Sequence, residues 1–358
     1  MARWALRRFL REQWTTLPLP LPQDCESLRP KSIVLVGANV GLGFEAAVHL
    51  ARLKPAQLLL TCRNPDKCEV TKTLVEQRSR SDGVQQESPI SLDNIESWPL
   101  ELDSFESVKA FVAKFEAESR SPNVLVANAG VALNKYTKTQ DGWETTLQVN
   151  HLSTALLSIL MLPHLIRSST ETSQSRLVIV SSEAHYFTKI SKLEGPRDCP
   201  NILKMLSSES YCTPAVMEDR YNLSKFLEIV FVRELARRLR NGSRLSVCAV
   251  HPGFCHSELT RHASLSFRYL VSIGKALFAR STEMGSRTLL HAAAASGEQE
   301  RHGHYISSCE VVEEHDWLLS ETGRKWSDRI WNETISILAH ADHRINSIVT
   351  EYLVDPGN

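Results

Sequence analysis

Six short apolar runs, rich in β-branched residues, punctuate the chain: IVLV (33–36), LLLT (58–61), VLVA (124–127), LVIV (177–180), LSVCAV (245–250) and HYIS (304–307). A strand with one face in water alternates polar and apolar residues. Runs that stay apolar mark strands covered on both faces, as in a parallel sheet. Helical patterns lie between and after them, over about 43–53, 66–79, 104–119, 141–167, 221–240 and 281–296. This β–α–β order, with right-handed crossovers, predicts an α/β fold: one doubly wound parallel sheet in a single domain.

The sheet domain spans 31–310. Residues 1–30 form an N-terminal amphipathic arm and linker, and 311–358 a helical tail expected to pack on the same domain. Two polar stretches, 80–97 and 183–220, read as insertions. The arm mixes Trp4, Leu6, Phe9, Leu10 and Trp14 with Arg3, Arg7, Arg8 and Arg11. Such a helix either packs on its own domain, the reading favoured here, or lies peripherally on a membrane surface. TLPLPLP then leads into the core as an extended linker.

Lys+Arg and Asp+Glu balance at 41 each, which gives no general attraction to nucleic acid. Eight scattered cysteines form no C-x-x-C pair, and His302-Gly303-His304 lacks acidic or Cys partners, so no metal site is expected. With no signal-peptide pattern and no apolar run of spanning length, a cytoplasmic location is the expectation.

The first strand runs into Gly37-Ala38-Asn39-Val40-Gly41-Leu42-Gly43, and a helix follows. Glycines there let backbone approach a pyrophosphate, while the helix N-terminus supplies N–H groups and positive potential. The loop is therefore a candidate dinucleotide site. The second strand ends at Thr61-Cys62-Arg63-Asn64, beside the expected adenosine ribose. An acid there would bind a 2′-hydroxyl, whereas Arg63 suits a 2′-phosphate, so NADP(H) is expected over NAD(H). Leu102-Asp103 closes a third strand, where Asp103 either faces the adenine or caps the helix beginning at Ser104.

Tyr221 and Lys225 lie four apart in RYNLSKFLEIVFVRELARRL, on one face of a helix. A cation beside a phenol favours the phenolate and lowers the tyrosine pKa towards working pH, so Tyr221 can exchange a proton with an alcohol or ketone.

Taken together, these residues resemble the classical short-chain dehydrogenase/reductase superfamily, over about 31–309. The elements fall in the family order: the glycine loop, Ala127-Asn128-Ala129-Gly130, Asn150, Ser181-Ser182, Tyr221-x-x-x-Lys225 and Pro252-Gly253. The CRN after the second strand, ELARRL and the HPG turn look like retinol-dehydrogenase-like members, including fungal biosynthetic-cluster types. The resemblance implies a Rossmann-type NAD(P)-binding domain. It makes Tyr221 the general acid/base and Lys225 a ligand of the nicotinamide ribose. Ser182, with Ser181 still possible, would bond the substrate oxygen, and Asn150 would hold a relay water. Asn128 would support the sheet centre, and Ser257 would contact the carboxamide. Helices 104–119 and 141–167 are those that pair in family dimers, so a monomer or homodimer is expected.

Three departures stand out. Val36 replaces a loop Thr and Ala127 an Asn, which removes polar buttresses. Ser182 and Tyr221 are separated by an unusually long segment, expected to wall the substrate. Apolar residues at 254–280 suit a bulky hydrophobic carbonyl or alcohol: a polyketide or terpenoid intermediate, or a retinoid- or steroid-like alcohol. A non-catalytic cofactor-binding protein is the third reading.

Overall fold

The computed structural model describes residues 11–19, 28–81, 94–189, 199–256, 278–295 and 298–355. Eight strands form one sheet: β1 (Ser32–Val36), β2 (Gln57–Cys62), β3 (Ile95–Pro99), β4 (Val124–Ala127), β5 (Ser175–Val180), β6 (Leu245–His251), β7 (Tyr305–Ser307) and β8 (Glu310–Val312). Their spatial order is β3-β2-β1-β4-β5-β6-β7-β8, and all pairings are parallel except β7–β8. The order reverses between β1 and β4, which opens a crevice at the carboxyl ends of the strands.

Both sheet faces are covered, as the continuous apolar runs require. Ile33, Leu35, Leu58, Leu60, Val126 and Val178 pack beneath α1 (Gly41–Arg52) and α6 (Thr282–Ala294). Val34, Leu59, Leu125, Leu177 and Val247 face α3 (Phe105–Ala117), α4 (Thr145–Ser168) and α5 (Arg220–Arg238). Helix α2 (Pro65–Ser81) bridges β2 and β3. By length and composition α4 could cross a membrane, but 89% of its apolar window is buried, as in a core helix.

The structure differs from expectation at both ends of the sheet. Strand β3, expected to close at Leu102-Asp103, begins inside the stretch read as an insertion and ends at Pro99. It is an edge strand with one buried residue on each face: Ile95 joins the cluster beneath α1 and α6, Trp98 packs on Phe111 and Phe115 on the other side, and Glu96 bonds to Gln57 and Arg120. Strand β8 was not anticipated. It closes a tight hairpin through Ser308 and Cys309, both at positive φ (52° and 68°), without the Asn-Gly pair that usually signals such a turn.

The tail forms α7 (Glu321–Ala341) and α8 (Arg344–Tyr352). Trp326 packs on Phe226, and Trp331 stacks on Phe231 at 5.7 Å, so α5 is held between sheet and tail. Helix α8 lies against α4. The described part of the 183–220 stretch joins the same body: Leu203 N–H donates to Glu333, and Arg220 N–H groups donate to Leu206 O. The described part of the arm is also packed, with Arg287 donating to Leu17 O and Ser307 to Glu12.

His151 on α4 is buried and shares a 3.0 Å hydrogen bond with Thr334 of α7. Burial pushes its pKa down to about 3, so it is neutral when folded and regains its ordinary basicity on unfolding. Protons then bind the unfolded chain more tightly, so this stability is whole above about pH 6.5 and falls steadily as pH drops towards about 3. Urea midpoints at pH 7 and pH 5 are expected to differ less in His151→Gln than in the parent. An equal difference would remove His151 from the acid response.

Candidate active site

The crevice is built from the loops that follow β1, β4, β5 and β6. Parallel register aligns Val36 with Ala127 and Val180 with Val250, so Gly37, Asn128, Ser181 and His251 emerge at one edge. Gly37 has φ 78°, and a Cβ on it would lie 2.8 Å from Ala129 Cβ. A Cβ on Gly43 would lie 2.0 Å from Gly37 O and 2.6 Å from Asn128 Nδ2. Asn128 donates to Val36 O and Gly37 O, tying the loops after β1 and β4 together.

The buttress lost at Val36 is supplied from the next strand. Thr61, opposite Val36 in register, accepts from Gly37 N–H through Oγ1 and from Ala38 N–H through its carbonyl. Sequence reading missed Thr61, because its role depends on strand pairing. Helix α1 begins at Gly41 without a side-chain cap and with no acid in its first turn, so its leading N–H groups are available to an anion. Asn39 sits half-buried in the loop, and Leu42 packs towards Gly285 of α6.

Arg63 stands at the crevice rim, 55% exposed, with Nε 3.0 Å from Glu101 Oε2. Glu101 was not anticipated. Burial raises its pKa above the usual carboxylate range, against the pull of Arg63. Ser104 caps α3 by accepting from Ser107 N–H, so the capping role left open for Asp103 belongs to its neighbour. Gly253 has φ 88°, and Arg280 Nη1 lies 2.8 Å from where its Cβ would be. Pro252 O accepts from the Cys255 thiol. Ser257, Leu259, Leu265, Phe267, Tyr269 and Leu270 lie outside the described residues.

Tyr221, Lys225, Asn150 and Ser182 converge. Asn150 sits in a π-turn of α4, spanning Gln148–Leu152. Its amide exchanges two hydrogen bonds with Val131 backbone and donates to Ser224 Oγ at 2.8 Å. A Cβ on Gly130 would sit 3.2 Å from Asn150 Oδ1 and 3.5 Å from Lys225 Nζ. The loop after β4 thus packs closely against Asn150 and the buried Lys225 head. Lys225 Nζ lies 5.6 Å from the Tyr221 ring centroid and donates to Val180 O and to Glu228 Oε1, both at 2.9 Å.

The two serines diverge. Ser181 is buried and donates to Lys225 O, whereas Ser182 is half-buried and caps the next turn by accepting from Ala184 N–H. Burial pushes the Tyr221 pKa above the ordinary phenol value. Lys225 and the Ser182 hydroxyl pull it down, while Glu228 and Glu183 push it up. The expected lowering by Lys225 is thus present but outweighed.

This set can hold a dinucleotide's phosphates on α1 and exchange a proton at Tyr221. The family model for short chain dehydrogenase matches residues 31–191. Short chain dehydrogenase/reductase dmxR8 of Cryptosporiopsis sp. (strain 8999) is 34% identical, covering 89% of this chain and 93% of that protein. Retinol dehydrogenase 12 of Mus musculus is 32% identical, covering 86% of each. The crystal structure of an uncharacterized protein from Mycobacterium paratuberculosis shares the fold, with TM-score 0.59, 23% identity and coverage of 88% and 96%. The chain belongs to the short-chain dehydrogenase/reductase family. It is an NAD(P)-dependent oxidoreductase acting on a small molecule.

Proposed function

We propose that the protein is an NADPH-dependent reductase that delivers hydride to the carbonyl of a bulky hydrophobic substrate, such as a polyketide or terpenoid intermediate. The observation that carries this reading is the convergence of Tyr221, Lys225, Asn150 and Ser182, with the Ala129-Gly130 turn packed between Asn150 and Lys225 on one side and Gly37 of the glycine loop on the other. The bound dinucleotide supplies the hydride from its nicotinamide ring. Its phosphates would rest on the loop Gly37, Asn39, Gly41, Leu42, Gly43, with Asn128 holding that loop closed. Arg63 would meet the 2′-phosphate and Asp103 the adenine, while Pro252, Gly253 and Ser257 would flank the nicotinamide.

Tyr221 Oη gives its proton to the carbonyl oxygen as the carbon receives hydride, and the Ser182 hydroxyl steadies that oxygen. An ammonium has three donors. Two on Lys225 are engaged, which leaves the third for the ribose hydroxyls. Asn150 braces the loop after β4 against α5. Phe187, 66% exposed on the turn that Ser182 caps, offers an apolar surface for a substrate. Oxidation of a retinoid- or steroid-like alcohol is a second reading, favoured by the retinol dehydrogenase relative.

A panel of ketones and aldehydes is expected to support consumption of NADPH in preference to NADH. Arg63→Ala should raise the Michaelis constant for NADPH by about tenfold or more, the scale of a charge-assisted hydrogen bond, and leave that for NADH nearly unchanged. Equal effects on both cofactors would show that Arg63 does not read the phosphate.

A further inference from the structure

Lys225 is not a free cation beside the phenol. One turn further along α5, Glu228 places Oε1 2.9 Å from Lys225 Nζ, with both side chains buried at 3–5% exposure. A buried carboxylate is costly unless paired, so this contact is built into the fold. The same ammonium is held to the end of β5 by Val180 O.

We propose, resting on the reading of Tyr221 as proton donor, that Glu228 is a positioning residue of this site. It fixes the Lys225 ammonium and offsets its field, so the phenol's acidity is set by Tyr221, Lys225 and Glu228 together.

The groups facing this triad are few among the described residues. Ser181 lies beside the Glu228 carboxylate. Ser182 and Glu183 act on the phenol from the β5 end. The neutral Gly130 and Asn150 close the β4 side. Burial raises Glu228 to about 7, against the pull of Lys225. Burial pulls Lys225 down, but Glu228 and Tyr221 hold it above the ordinary lysine value, so it stays an ammonium. At the pH where a phenol titrates, Glu228 is ionised and opposes formation of the phenolate. A phenol kept protonated suits a group whose task is to donate, as carbonyl reduction requires.

Glu228→Gln keeps an amide oxygen for Lys225 and removes the charge. The Tyr221 titration can be read in the full chain as phenolate absorbance, by difference from the same protein carrying Tyr221→Phe. The Tyr221 pKa is expected to fall by on the order of one unit in Glu228→Gln, the scale of one nearby charge. The alkaline limb of carbonyl reduction, where the protonated donor is lost, should move down with it, and Glu228→Asp should keep the parental value. A titration unmoved or raised in Glu228→Gln, with Tyr221→Phe inactive, overturns this proposal alone. Parental turnover in Tyr221→Phe overturns the catalytic reading and the proposal with it. Should Glu228→Gln fail to fold, Glu228→Asn against Glu228→Asp makes the same comparison.

Discussion

A Tyr221→Phe protein is expected to bind NADPH as the parent does and to turn over at least about 10²-fold more slowly, since general acid/base catalysis is worth roughly 10²–10⁴-fold. The substitution removes one oxygen and keeps the ring, so the half-buried site is not emptied. The Lys225 contacts with Val180 O and Glu228 do not involve the phenol and should persist. The glycine loop, held by Thr61 and Asn128, is built from other elements. Cofactor affinity and turnover should therefore separate. Dinucleotide binding by fluorescence and single-turnover hydride transfer measure the two independently. Turnover near the parental value would refute the assignment of Tyr221 as proton donor.

Gly43→Ala should weaken NADPH binding by about tenfold or more, because overpacking costs about 1–3 kcal/mol. The new methyl would sit 2.0 Å from Gly37 O and 2.6 Å from Asn128 Nδ2, far inside van der Waals contact. Both neighbours belong to the cradle itself. Relief requires α1 to tilt away or Asn128 to release the loop, and either change displaces the N–H groups offered to phosphate. Gly41 provides the contrast. A Cβ there meets nothing within 4 Å, and only its φ of 60° resists substitution. Gly41→Ala should cost about 1 kcal/mol of backbone strain and leave the cradle open. Equilibrium binding of NADPH to the two proteins distinguishes the cases. An unchanged affinity in Gly43→Ala would mean the loop does not hold the dinucleotide.

The central strands were legible because two-sided burial imposes continuous apolarity, as in β1, β4, β5 and β6. Edge strands lack that signature. A third strand was readable only as a segment closing at Leu102-Asp103, because Trp98 amid Glu96, Ser97 and Pro99 does not mark the bounds of β3, and β8 is set by a turn that its residues do not advertise. The Tyr221–Lys225 pairing was readable from helical spacing. Glu228 carried the same kind of signal, three residues beyond Lys225 and so on the same helix face, but spacing alone does not tell a buried acid from a solvated one. Thr61 and Glu101 could not be read at all. Thr61 serves Gly37 across a strand pair, and Glu101 meets Arg63 from a loop distant in sequence. Val36 looked like a lost buttress for the same reason.

The tail has a consequence for the order in which the enzyme is completed. Helix α5 carries Tyr221 and Lys225, and its outer face is covered by Trp326 and Trp331, about a hundred residues downstream. A chain made from its N-terminus exposes Phe226 and Phe231 to water until α7 has emerged from the ribosome. The helix that carries Tyr221 and Lys225 is thus sealed on its outer face only after α7 has formed. Translation must pass α7 before both faces of α5 can be covered.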